Sequence, residues 1–104
     1  MTDLEITRLC AEAMGFFINK EQYSNITLLC REDSEDGGFQ TMWYWPLTND
    51  AQAMALVKKF GLQIFLHGDF WCCIDFGQEH QTEDVSLNMA ICECVAKMMK
   101  GKAS

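Results

Sequence analysis

The sequence contains 104 residues, a length typical of one domain, and we interpret residues 1–104 as a single domain. Apolar residues make up 49% of the chain, enough for a hydrophobic core without metal ions or disulfides. Fifteen acidic and eight basic residues give a net charge of −7. That charge argues against direct binding to nucleic acid, because Lys and Arg must neutralise the phosphates.

The first residues of the chain and its cysteines together predict the cellular compartment. The first fifteen residues form a charged amphipathic segment rather than a signal peptide. No run of about eighteen apolar residues follows, so the sequence predicts no membrane span. We therefore expect the six cysteines to stay reduced in a cytoplasm.

The first half of the chain predicts one helix and two strands. Thr2 and Glu5 fit a capping box for a helix over about residues 3–14, which Gly15 is placed to end. Residues 26–30 and 39–45 are rich in β-branched and aromatic side chains and flank a polar loop at 31–38, which predicts two antiparallel strands.

The second half predicts a helix, a hairpin and a final helix. Thr48 or Asn49 is expected to cap the second helix, and Gly61 to end it. Strands are predicted at 62–66 and 70–76, and a helix over about 83–100. The resulting order, α-β-β-α-β-β-α, predicts an α+β fold with a four-stranded, largely antiparallel sheet packed by three helices.

The cysteine spacing does not predict a metal centre. Cys72 and Cys73 are adjacent in a predicted strand, so their side chains point to opposite faces. Cys92 and Cys94 diverge around a helix, and no C-x-x-C pair supplies zinc ligands. We therefore interpret the cysteines as small buried side chains and expect no metal or other cofactor; a contact through Cys30 or Cys72, across strands or between molecules, is the alternative.

No catalytic motif is present. His67 and His80 lie in a predicted turn and a polar loop, each near carboxylates, and we interpret both as surface groups. The chain lacks G-x-S-x-G, a phosphate-binding glycine loop and H-E-x-x-H. We expect no catalytic residues and no enzymatic activity.

Two features suggest a surface that binds a partner. The acidic run in the 31–38 loop is either a solvated face or a surface that engages a basic groove. Trp43 and Tyr44 point to opposite faces of a strand and could each contact a helix or a partner. The candidate partner-binding residues are Glu32, Asp33, Glu35, Asp36, Trp43 and Tyr44.

A family resemblance covers almost the whole chain. Its motifs are Ala11 to Gly15, Trp45 to Ala51, Gly61-Leu62, Trp71 and the final helix from Met89 to Met99. Together they resemble the small phage and prophage proteins of the phage ABA sandwich domain. The resemblance implies a helix–sheet–helix sandwich and a bacteriophage or prophage origin, and it carries over no catalytic or ligand residues.

The leading functional hypothesis combines the resemblance with the acidic charge. It is a non-enzymatic phage or prophage accessory protein that binds and modulates a host protein in the bacterial cytoplasm. Inhibition of antiphage defence through the acidic surface is one form of this role. Two alternatives stay open: binding or sequestering a small molecule such as a nucleotide signal, and a structural domain that forms a homodimer.

Overall fold

The computed structural model describes residues 1–103, without the side chains of residues 20, 21, 102 and 103. Within these residues it contains three helices and six strands. In chain order they are α1 (Asp3–Ala13), β1 (Phe17–Ser24), β2 (Thr27–Asp33), β3 (Phe39–Tyr44), α2 (Asp50–Phe60), β4 (Gln63–His67), β5 (Phe70–Ile74), β6 (Gln81–Asp84) and α3 (Leu87–Ala103). None of these helices is long and apolar enough to cross a membrane.

The strands form two antiparallel sheets with a helical layer between them. Sheet A has the order β1-β2-β3, and sheet B has the order β4-β5-β6. Helix α1 packs on sheet A, α3 packs on sheet B, and α1 and α3 pack against each other. Each sheet therefore has an inner face turned towards the helices and an outer face turned away from them.

The α+β class, the three helices and the antiparallel pairing are confirmed. The four predicted strands are present as β2 to β5, but β1 and β6 were not predicted. The strands divide into two three-stranded sheets rather than one four-stranded sheet. The layer order also differs from the helix–sheet–helix sandwich that the resemblance implies, because here the helices lie between the sheets.

Two element boundaries differ from the sequence prediction. The final helix begins at Leu87 rather than near residue 83, because Ser86 caps it by accepting a hydrogen bond from the Met89 amide at 3.3 Å. Glu83 therefore belongs to β6, where it pairs with Cys72. Strand β2 extends to Asp33, so the acidic residues 32 and 33 lie on a strand rather than on the predicted loop.

Helix α2 begins and ends at the predicted signals and is tied to the end of β3. Asn49 is the N-cap, since its side chain accepts from the Gln52 amide at 2.9 Å, and Gly61 ends the helix with φ +62°. The Gln52 side chain then spans two backbone groups. It donates to the carbonyl of Trp43 at 3.0 Å and accepts from the amide of Trp45 at 2.7 Å.

The turn between β5 and β6 is organised by one carboxylate. Asp75 is buried, and its Oδ1 accepts from the amides of Glu79 and His80 at 2.8 and 3.1 Å. Its Oδ2 lies 3.0 Å from Nδ1 of the His80 ring. The hydrogen bond to that ring, with help from the two amides, lowers the pKa of Asp75 below its ordinary value.

Asp75→Asn should lower the free energy of unfolding at pH 7, because the amide keeps the shape but loses the charge. A carboxyl whose pKa falls on folding stabilises the protein above its unfolded pKa, and this is lost as the pH drops through the folded pKa. The difference in free energy of unfolding between wild type and variant should therefore become smaller below about pH 4. Urea denaturation at several pH values measures it.

The matched control is Glu79→Gln, which removes the same charge from an exposed side chain in the same turn. It should change the free energy of unfolding by less than about 0.5 kcal/mol at pH 7. A gap between wild type and Asp75→Asn that stays constant from pH 7 to pH 3 would contradict the role assigned to the Asp75 charge.

Candidate functional site: the outer face of sheet A

The outer face of sheet A is set by strand alternation. Leu28, Cys30 and Tyr44 point into the core, so their neighbours in β2 and β3 point away from the helices. Trp43 lies on this outer face with 41% of its surface exposed. Phe17 and Phe39 are exposed at the other end of the same sheet. We call Phe17, Tyr23, Phe39 and Trp43 the aromatic face.

One end of the aromatic face forms a pocket. The ring of Tyr23, which is 77% exposed, lies 5.5 Å from the ring of Trp43, centroid to centroid. With Thr27 and Trp45 these rings line a pocket of about 410 Å³. The hydrogen bonds from Gln52 hold the backbone of Trp43 and Trp45 in place, so part of the pocket wall is ordered before any ligand arrives.

The other end of the aromatic face contains a cation held between two rings. The guanidinium carbon of Arg31 lies 4.9 Å from the centroid of Phe17 and 5.6 Å from that of Phe39. Its Nε lies 3.0 Å from a carboxylate oxygen of Asp33. The ion pair offsets the Arg31 charge, and the cation–π contacts keep the planar group against the rings.

The acidic turn follows directly, at residues 34–38. The Ser34 amide donates to the Gly38 carbonyl at 2.9 Å, and the Gly38 amide donates to the Asp36 carboxylate at 3.1 Å. The Ser34 hydroxyl also donates to Asp36. These bonds, led by that of Ser34, lower the pKa of Asp36, so this carboxylate organises the turn.

The six predicted partner-binding residues do not form one site. Trp43 and Asp33 share the outer face, but they are separated along the sheet by four residues of β3, roughly 13 Å. Glu32 shares the opposite face with Cys30, beyond the helical cover, and is exposed. Glu35 and Asp36 are exposed at the turn.

The prediction that Tyr44 binds a partner is wrong. Tyr44 is 2% exposed and lies in the core, where its ring meets that of Phe16 edge-on at 5.4 Å. Since it sits on the inner face of sheet A, it is not available to a partner. The question that the sequence left open is therefore answered differently for the two residues: Trp43 faces outward, and Tyr44 faces the helices.

Sequence reasoning missed Phe17 and Tyr23. Both lie on β1, whose polar residues Asn19 and Gln22 and whose irregular register hide the period-two pattern of a strand. The run Phe16-Phe17-Ile18, directly after the glycine that follows α1, is the signal that could have indicated a strand there.

No family model, curated protein sequence or solved structure matches this chain. The phage ABA sandwich resemblance and the phage origin therefore stay predictions.

The hydroxyl of Tyr44 has an unusual environment. It is buried and has no hydrogen-bond partner among the described residues. Burial, with the neighbouring thiols of Cys10, Cys92 and Cys30, raises the pKa of Tyr44 above its ordinary value. Burying a hydroxyl removes its hydrogen bonds to water, and without a new partner this loss destabilises the folded protein.

Tyr44→Phe should therefore raise the free energy of unfolding by about 1 kcal/mol, because it removes the hydroxyl and leaves the ring. Tyr23→Phe removes an exposed hydroxyl and should change stability by less than about 0.5 kcal/mol. Urea denaturation of both variants measures the difference. A loss of more than 1 kcal/mol in Tyr44→Phe would show that the hydroxyl is satisfied in solution.

Proposed function

We propose that this chain is a non-enzymatic protein-binding module that engages its partner through the aromatic face of sheet A and the adjoining acidic turn. The observation that supports this most is the exposed pair Tyr23 and Trp43 at the mouth of the pocket. Large aromatic side chains beside a surface pocket are common anchors of protein interfaces.

The shape of the site favours a protruding apolar side chain on the partner. Tyr23, Trp43 and Trp45 supply a mostly aromatic wall, and Thr27 supplies a hydroxyl. Gln52 holds the backbone of both tryptophans, so the main chain of this part of the wall is ordered before binding. A leucine, methionine or aromatic side chain would bury this wall.

The charge of the site favours a basic rim on the partner. Asp33 is engaged by Arg31, and Asp36 is engaged by its own turn. Glu32 and Glu35, in contrast, make no ion pair within the described residues. With a net charge of −7, the chain would attract a surface carrying Lys or Arg around its apolar side chain.

The biological setting of this proposal comes from the sequence resemblance. A small acidic phage or prophage protein of this kind would bind and modulate a protein of the bacterial host, and a component of antiphage defence is the target class we propose. The support for that setting is the resemblance alone, whereas the interaction surface is argued from the contacts described above.

A second candidate is small-molecule binding, and the pocket itself favours it. Its volume of about 410 Å³ lies within the range of ligand sites. Its described lining residues carry no charge, so a phosphate group would find no cationic partner among them. An uncharged aromatic ligand therefore fits this pocket better than the nucleotide signal considered from the sequence.

Trp43→Ala should weaken binding to the host partner by at least about 2 kcal/mol, or roughly 30-fold in Kd. The partner is first captured from bacterial lysate with the tagged protein, and its affinity is then measured by calorimetry. The control is Phe70→Ala on sheet B, since Phe70 is 43% exposed and so resembles Trp43 in exposure.

Three results would decide against this reading. Equal affinities of wild type and Trp43→Ala would remove the aromatic face from the interface. A rise in melting temperature with an uncharged aromatic ligand, seen in wild type but not in Trp43→Ala, would favour the small-molecule candidate. A molar mass in light scattering that doubles with concentration, and does not do so in the variant, would indicate a homodimer.

Glu32→Lys with Glu35→Lys should lower the association rate several-fold at low salt, and the effect should shrink at physiological salt because exposed charges are screened. Asp69→Lys with Glu79→Lys changes the net charge equally on exposed side chains at the sheet B end. The rates are compared by surface plasmon resonance. Equal slowing by the two double variants would assign the effect to net charge rather than to the positions of Glu32 and Glu35.

A further inference from the structure

The outer face of sheet B brings together three side chains that bind metals. Cys72 in β5 pairs directly with Glu83 in β6. On its other side Cys72 pairs with Phe65 in β4, and His67 lies two residues further along that strand, on the same face. Three neighbouring strands thus each contribute one ligand type: an imidazole, a thiol and a carboxylate.

This face is the outer one because its opposite side is packed. Thr82 pairs with Cys73 across the two strands, so both side chains lie on the same face of the sheet. Thr82 is buried, and its hydroxyl donates a hydrogen bond to the Ala90 carbonyl of α3. Cys73 therefore points to the helices and Cys72 points away from them. Cys72 is nevertheless 1% exposed, whereas His67 and Glu83 are exposed, so its thiol lies beneath its neighbours.

The distances fit a single ion. A ring nitrogen of His67, the Sγ of Cys72 and a carboxylate oxygen of Glu83 all lie within 4.8 Å of one another. Ligand atoms of a tetrahedral zinc ion lie about 3.3–3.7 Å apart, as its bond lengths require. Small rotations of the two exposed side chains close this difference without moving the strands.

The three ligand atoms are also not engaged by other groups, although the Cys72 thiol is buried. In the described part of the chain none of these three ligand atoms takes part in a hydrogen bond or an ion pair. Nothing in that part has to be broken before an ion enters.

We propose that His67, Cys72 and Glu83 bind one Zn²⁺ ion on the outer face of sheet B. A nitrogen, a sulfur and an oxygen ligand form a borderline-soft set that suits Zn²⁺ better than Mg²⁺ or Ca²⁺. On binding, Cys72 loses its thiol proton to solvent and the sulfur–zinc bond forms. The fourth position faces solvent and takes water. The proposal is independent of the partner-binding surface on sheet A.

The site could not be read from the sequence. Cysteine spacing excludes one ion between Cys72 and Cys73, and the structure keeps those side chains on opposite faces. The expectation of no metal rested on that spacing and on the absence of a C-x-x-C pair. The pairing of Glu83 in β6 with Cys72 was not predicted, because Glu83 was assigned to the start of the final helix.

Zn²⁺ titration of the reduced protein by calorimetry should give one ion per chain. The variants His67→Gln, Cys72→Ser and Glu83→Gln should each raise the Kd for Zn²⁺. Loss of a residue that only supports a metal ligand costs about 10–100-fold in affinity, so loss of a ligand should cost at least as much. Asp69→Asn removes a nearby exposed charge outside the cluster and should leave the Kd within about two-fold of wild type.

Co²⁺ reports the sulfur ligand directly. The wild-type protein with Co²⁺ should show a thiolate-to-metal charge-transfer band that Cys72→Ser abolishes. Should Cys72→Ser fail to fold, as judged by circular dichroism, the exposed variants His67→Gln and Glu83→Gln decide the question. The proposal is overturned by no Zn²⁺ binding, by a wild-type Kd equal to that of Glu83→Gln, or by a Co²⁺ complex without the thiolate band.

Discussion

The packing of α3 is the constraint on which both sheets depend. From Ala90 to Ala96 all residues except Glu93 are buried, with 0–1% of their surface exposed. A helix buried almost all round must carry small side chains where its neighbours approach closely. Alanine and cysteine meet this need, and the Cys10 thiol of α1 comes within 3.4 Å of the Cys92 carbonyl. The six cysteines are thus explained largely as small core residues.

Cys30 and Cys92 resist ionisation, which keeps their part of the packing apolar. Burial raises the pKa of Cys30 to about 11 and raises that of Cys92 as well, with a hydrogen bond to Cys10 as the first cause for Cys92. A thiolate there would be a buried charge without compensation. Cys72 differs from the other cysteines because it lies on the outer face of sheet B, away from this core. For that reason we assign it to the proposed zinc site rather than to the core.

A central helical layer leaves each sheet with one uncovered face. On sheet A that face carries the exposed aromatic rings, and on sheet B it carries the three metal-binding side chains. Exposed aromatic groups on a small chain weaken its solubility unless something else offsets them, and a net charge of −7 does so. The acidic composition and the aromatic face therefore act in opposite directions: the exposed rings favour association, and the net negative charge opposes association between copies of the chain.

Much of the fold could be predicted because its local signals are strong. Asn49 and Gly61 bound α2 as expected, and the β4–β5 hairpin lies where the sequence placed it, with Gly68 at φ +66° in the turn. Burial of individual residues could not be predicted, because it depends on which face the helices cover. Tyr44 and Trp43 are neighbours with similar side chains, yet the packing of α1 and α3 buries one and exposes the other.

The two strands that the sequence did not reveal lie at sheet edges, as β3 and β4 also do, but they differ from those strands in being richer in polar residues. Polar residues occupy all of β6 and most of β1, which disfavours edge-to-edge pairing but also weakens the apolar alternation that identifies a strand. Each nevertheless completes a candidate site: β1 places Tyr23 beside Trp43, and β6 places Glu83 beside Cys72. Residues that act at an uncovered face need not be apolar, so the strands that carry them give the weakest sequence signal. In this protein the polar residues of β1 and β6 therefore hide the strands that carry Tyr23 and Glu83.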